Sequence, residues 1–141
     1  MALQLTFDCT DPHAQARFWA AALDYDVDDH DEMIGGLIDA GHITADSDDI
    51  TMVDGRRIWR HYASASPRDP ADKNRALFQA VPEPKTAKNR LHLDLHAPDG
   101  ERDAMVDRLL ALGATKLWDG QLGPQTWVTL ADPEGNELCV S

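Results

Sequence analysis

The stretch KNRLHLDLHAPD, Lys88 to Asp99, decides how the rest of the chain is read. Its Leu91, Leu93 and Leu95 alternate with His92, Asp94 and His96, and successive side chains on a strand point to opposite faces. One face wants a core, and the other carries groups that exchange protons or bind ions. Asp99-Gly100 follows, then Met105, Val106, Leu109, Leu110 and Leu112 at helical spacing with Gly113 as the stop. That pattern predicts a helix over about residues 101–112.

Working outward, the amino-terminal end repeats this plan. Leu3, Leu5, Phe7 and Cys9 alternate with Gln4, Thr6 and Asp8, which predicts a strand over about residues 3–9. Thr10 or Asp11 offers an N-cap oxygen, Pro12 fits the first helical turn, and Phe18, Trp19, Ala22 and Leu23 mark a helix over about residues 12–23. Asp24 takes the stop position usually given to glycine. Gln4 stands seven residues before Asp11, and His92 stands seven before Asp99.

Each half continues with about three strands. In the first they are expected at residues 50–53 and 57–62, around the hairpin dipeptide Asp54-Gly55, and at residues 77–81 before Pro82 and Pro84. In the second they are expected at residues 116–119, 126–130 and 137–141, the last after the turn Asp132-Pro133-Glu134-Gly135-Asn136. The acid-rich residues 26–32 lack the glycine and closing glutamate of a calcium loop, so they read as a solvated connection. A short helix follows over about residues 31–40, ended by Gly41, and residues 64–75, with Pro67 and Pro70, read as an exposed loop.

Strand, helix and about three strands, twice over, imply an internal duplication with a period of roughly 88 residues, longer than solenoid repeats use. The expected fold is α+β: two βαβββ modules, at about residues 1–84 and 88–141, forming a curved, open barrel-like mixed sheet backed by helices. The whole of residues 1–141 is read as a single domain.

Charge narrows the partners. Thirteen Lys+Arg face twenty-five Asp+Glu, a net charge of -12 that repels phosphate backbones and anionic lipid. Nucleic acid and membrane are therefore not the expected partners. No apolar run nears the roughly 20 residues of a bilayer span, and no signal-peptide pattern opens the chain, so the expected location is cytoplasmic. Cys9 falls with the apolar set of its strand and Cys139 with the polar set of its own, which argues for two free thiols.

The paired βαβββ plan, the DP turn at Asp11-Pro12, VPEPK at 81–85 followed by KNRLHLDL, LGA at 112–114 and DPEGNELCV at 132–140 resemble the vicinal oxygen chelate superfamily. The closest likeness is to its glyoxalase-like branch found widely in actinobacteria. That resemblance implies the fold and a cavity between the modules. It leaves function open among glyoxalase I-like isomerases, dioxygenases, epimerases, fosfomycin-modifying enzymes and bleomycin-binding resistance proteins. It also implies homodimers.

In metal-dependent members the ligands come from the first and last strands of each module. Those positions correspond here to Gln4, Gln79, His92 and Cys139. Two neutral amides, one imidazole and a thiol suit magnesium, manganese or nickel poorly, because such ions prefer oxygen and imidazole donors. The expected function is therefore small-molecule binding of the glyoxalase/bleomycin-resistance type without a conventional divalent-metal site. The alternative is a glyoxalase-type lyase or isomerase that uses a divalent metal ion, such as zinc, on a substrate with vicinal oxygens.

Single residues carry two readings each. His92 is a cavity histidine held by a hydrogen bond, or it forms an acid-base pair with Asp94 on the same strand face. Cys139, one of the matched ligand positions, is a small buried residue or a nucleophile, the latter needing a cation or helix N-terminus to activate it. Trp127, leading the strand into DPEGN, is the expected wall for a flat ligand. Lys85, Lys88 and Arg90 form a basic island that pairs with nearby acids or holds an anionic group.

Overall fold

The computed structural model describes residues 1–141. The first module comprises β1 (Gln4–Cys9), α1 (Pro12–Leu23), β2 (Tyr25–Val27), α2 (Asp31–Asp39), β3 (Ile50–Val53), β4 (Arg56–Trp59), β5 (Tyr62–Pro67) and β6 (Arg75–Ala80). The second comprises β7 (Leu93–Leu95), α3 (Arg102–Ala111), β8 (Thr115–Leu122), β9 (Gln125–Ala131) and β10 (Glu137–Val140). One sheet runs in the order β1-β6-β5-β2 and the other in the order β7-β10-β9-β8. In both, the module's first strand lies at an edge, parallel to its last strand. The duplication is thus a property of the topology, and neither sheet closes into a barrel.

Alternation holds along β1, where Leu5, Phe7 and Cys9 turn inward and Gln4, Thr6 and Asp8 stay exposed. The inward set meets α1, whose Asp11 cap accepts hydrogen bonds from the amides of His13 (3.1 Å) and Ala14 (2.9 Å). Asp24 ends the helix in the left-handed conformation, φ 57°. Phe7 stacks on Phe78 at 5.1 Å and tilts against Trp19 at 4.9 Å. A single cluster of 17 buried residues joins these to Val106, Leu109, Val128, Leu130, Leu138 and Val140 of the second module. Burial of that size supplies the main driving force for folding.

Four segments differ from the sequence expectation. Residues 64–67, read as part of an exposed loop, belong to β5, where Ala63, Ser64 and Ala65 are buried. Small side chains give no apolar alternation, yet they let α1 approach the sheet closely. Residues 25–27 form an edge strand paired with β5, and Arg68 holds Asp24 (2.8 Å) and Asp26 (3.1 Å) beside it. The neighbouring acids are structural rather than merely solvated. Asp28 accepts a hydrogen bond from Ser66 at 3.1 Å, while Asp31 takes both the backbone and the guanidinium of Arg57 (2.9 and 2.7 Å). These bonds fasten the α2 and β3–β4 insertion to the module.

The fourth difference lies in the opening stretch itself. Only Leu93–Leu95 pairs as β7, because Leu93 already faces Leu138 near the start of β10. Leu91 is 70% exposed and does not reach the core. Residues before it are held by side chains instead: the Asn89 amide donates to Glu137 at 3.0 Å, and Asn89 Nδ2 donates to Asn136 at 2.9 Å.

The two modules are tied through the DPEGN turn. Asp132, only 3% exposed, accepts hydrogen bonds from the amides of Glu134 (2.9 Å) and Asn136 (2.8 Å), from Asn136 Nδ2 (2.8 Å) and from Trp19 Nε1 (3.0 Å). The Glu134 carboxylate in turn receives the amides of Thr10 and Asp11, both at 2.7 Å, at the first strand-to-helix joint. Asp132→Ala strands four donors in a buried site and is expected to cost about 3 kcal/mol or more in denaturant unfolding. Trp19→Phe removes one donor while the others still satisfy Asp132, so its loss should be nearer about 1 kcal/mol plus a small packing change.

Candidate functional site

Each module ends one sheet with an unpaired edge, β1 in one and β7 in the other. The carbonyls of Leu3 and Cys9 bond to the β6 side, so the intervening Thr6 and Asp8 turn their backbone groups to the open edge. Between the edges lies a cleft of about 710 Å³. Leu5, Phe7 and Leu93 make its apolar floor, with the buried Trp19 behind them, while Thr6, Asp8, Lys85, Asn89, Arg90, His92 and Glu137 make a polar rim. Such a volume and mixture suit a small organic ligand.

The ladders define which positions correspond between modules. The last interior pair on the polar face is Asp8 opposite Gln79 in the first module and Asp94 opposite Cys139 in the second. Asp94 is thus the counterpart of Asp8, and His92 the counterpart of Thr6. Counting from the helix starts instead matched His92 to Gln4, because the joint after β7 is longer than the joint after β1.

Of the four sequence-derived positions, His92 and Cys139 come together, and the two glutamines stand at opposite ends of the β1–β6 ladder. Gln4 pairs with Arg75 and Gln79 with Asp8, four ladder steps apart, or roughly 13 Å along the strands. Gln79 Nε2 also donates to Asp8 Oδ1 at 2.7 Å, and Gln4 Nε2 to Thr6 Oγ1 at 3.3 Å. Each of the two amides is thus engaged within its own module. His92, Asp94 and Cys139 do come together: one donor atom from each lies within 4.8 Å of the others.

His92 Nδ1 and Asp94 Oδ1 are 2.7 Å apart. A carboxylate accepts this bond with Nδ1 as its donor, which fixes the ring's orientation. Both side chains are about half exposed, which leaves the imidazole open to a ligand and to solvent. Burial pushes the Cys139 thiol above its ordinary value and Asp94 adds to the rise, against the Thr129 hydroxyl, 3.6 Å from Sγ, and the charge of Lys88. Cys139 is therefore no activated nucleophile. Cys9, on the core side of β1, is pushed up to about 12 by burial and then by the carboxylates of Glu134 and Asp11. Both thiols are free.

Trp127 lies outside the cleft, across β8: a Cβ on Gly120 would sit 2.0 Å from its Cε2, so only glycine admits the indole there. Lys85 pairs with Glu137 at 3.3 Å, while Arg90 lines the rim. His96 bonds to Ser141 Oγ at 2.8 Å. The residues not foreseen are Thr6 and Asp8, which share Gln4's strand face, and Trp19, whose helical periodicity marked it only as core. The alternation of β1 was the signal available for the first two.

Two sheets of order first-last-middle-second, each backed by a helix and facing one another across a cleft, define the vicinal oxygen chelate fold. The chain belongs to the glyoxalase-like domain family, whose model matches residues 4–141. A glyoxalase/bleomycin resistance protein/dioxygenase family enzyme from Burkholderia phytofirmans PsJN is 15% identical, with 97% of this chain and 94% of that one covered and a TM-score of 0.63. The fosfomycin resistance protein of Mesorhizobium loti is 12% identical, covering 97% and 86%, with a TM-score of 0.59. The bleomycin-binding protein of bleomycin-producing Streptomyces verticillus, solved with copper(II)-bleomycin, is 15% identical, covering 100% and 94%, with a TM-score of 0.53. No curated protein matches the chain at a significant level. At these identities the likeness establishes the fold, and no actinobacterial branch is singled out. No helix is long and apolar enough to cross a membrane.

Thiol labelling checks the site geometry. In the folded protein at about pH 8, one thiol is expected to react slowly, to speed up as pH rises, and to vanish in Cys139→Ala. Cys9 should react only after denaturation, and labelling of Cys9 in native Cys139→Ala would contradict the burial described.

Proposed function

We propose that the chain is a small-molecule-binding protein of the glyoxalase/bleomycin-resistance type, acting in the cytoplasm as a homodimer without a conventional divalent-metal site. The observation that carries this reading is the cleft itself: an apolar floor of Leu5, Phe7 and Leu93 beneath a charged rim that includes His92. Binding energy would come from covering the floor, and orientation from Asn89, Arg90 and His92 on the rim. Exposure of Trp118 (49%) and Leu122 (70%) on β8 supports the homodimer, since association would cover them.

A thermal-shift screen of aromatic antibiotics, dicarbonyl-thiol adducts and pterins tests the reading, because a ligand bound only by the folded state raises the melting temperature. A hit should also change Trp19 emission. Thr6→Trp, which fills the cleft from an exposed position, is expected to weaken that hit by at least about tenfold, or about 1.4 kcal/mol. A hit unaffected by Thr6→Trp would place binding elsewhere.

One observation favours a second reading, a glyoxalase-type lyase or isomerase acting on a small substrate with vicinal oxygens. The His92–Asp94 pair sets an imidazole oriented by a carboxylate at the cleft wall, an arrangement suited to acid-base catalysis. If that pair is catalytic, turnover of a dicarbonyl-thiol adduct should fall by roughly 100-fold in His92→Ala and less in Asp94→Asn, with KM little changed. No turnover in the unaltered protein would rule this reading out for that substrate class.

A further inference from the structure

The geometry points to a thiophilic metal site built by the second module alone, with His92, Asp94 and Cys139 as its protein ligands. Two placements bring these side chains together. Asp94 faces Cys139 directly across the parallel β7–β10 ladder. His92 stands two residues earlier on the same face as Asp94 and already touches it. The three donor atoms lie within 4.8 Å of one another, which is the reach of a single ion with modest side-chain rotation.

The donor chemistry selects the ion. An imidazole nitrogen, a carboxylate oxygen and a thiolate sulfur form a set that zinc and cadmium accept, whereas magnesium and manganese gain little from sulfur. Ligands on a tetrahedral zinc stand about 3.3 Å apart, given metal–nitrogen and metal–oxygen bonds of about 2.0 Å. Coordination through Nδ1 moves the imidazole proton to Nε2, and the present 2.7 Å contact between His92 and Asp94 opens by a fraction of an ångström on loading. Neither side chain is packed tightly enough to resist, since both are about half exposed. Thr129 Oγ1, 3.6 Å from Sγ, is left to hydrogen-bond the thiolate.

Three protein ligands leave a fourth position for water or a bound molecule. Because His92 also lines the cleft, that position borders the space where an organic ligand would sit. The site differs from the four-position set implied by the family resemblance, because it uses Asp94 and neither Gln4 nor Gln79. It goes beyond the binding reading and stands or falls without it. Loading displaces the thiol proton, so affinity rises with pH.

The test titrates Co²⁺ and Cd²⁺ into the full chain purified without metal. The expected result is one ion per chain, a thiolate-to-metal charge-transfer band in the near ultraviolet, and intense visible bands from tetrahedral Co²⁺. Cys139→Ser should abolish the charge-transfer band. His92→Ala and Asp94→Ala should each weaken binding by at least about tenfold, while Gln4→Ala and Gln79→Ala leave it within about twofold. A band that survives Cys139→Ser, binding weaker than about millimolar, or loss of binding in the two glutamine variants would overturn the assignment. If Cys139→Ser fails to fold by circular dichroism, the His92 and Asp94 variants decide, since substitutions at exposed positions leave the fold intact. None of these readouts depends on an organic ligand, so a failed ligand screen and a failed metal titration remain distinguishable.

Discussion

The structure depends on one buried carboxylate. Asp132 sits at 3% exposure and accepts four hydrogen bonds, three from its own turn and one from the indole of Trp19 on the other module. An isolated buried charge would be costly, but here every donor points at it, so the desolvation penalty is offset locally. The result is directional where hydrophobic contact is not. Apolar packing alone would hold α1 against the second module at many rotations, whereas the Trp19–Asp132 bond and the Glu134 contacts at Thr10 and Asp11 allow one.

That single orientation makes the cleft. Each sheet stops at an edge strand with unpaired backbone groups, a feature that proteins usually cover because open edges recruit other strands. Here the residues between Val81 and Leu93 run over the gap, pinned by Asn89 to Asn136 and Glu137. The cover uses side-chain hydrogen bonds in place of a ladder, so the space beneath stays open. Trp19 then serves twice: its N–H fixes the modules, and its buried ring backs the cavity floor.

Much of this was legible in the residues, and the failures have identifiable physical causes. β1, α1 and β10 were readable because alternation and helical spacing record which face is buried. β5 was not, since Ala63, Ser64 and Ala65 are buried for their smallness, and smallness leaves no periodic trace. The acids of residues 26–32 looked like a solvated run because their partners, Arg56, Arg57, Ser64 and Ser66, are distant in sequence. His92 was recognisable as a ligand type, but its neighbour Cys139 depends on a parallel register that no local pattern encodes.

The register also explains why a duplicated frame carries unequal chemistry. At the equivalent ladder positions the first module places Asp8 beside Gln79 and the second places Asp94 beside Cys139. In the first pair the amide donates to the carboxylate and both groups are satisfied, which leaves little affinity for an ion. In the second, the carboxylate accepts from His92 and lies beside the thiol, whose hydroxyl contact with Thr129 is long, so an imidazole, a carboxylate and a thiol share one place. Replacing one amide by a thiol and one threonine by a histidine on the same backbone moves the reactive groups into a single module. The cleft can then be shared by both modules while its chemistry belongs to one.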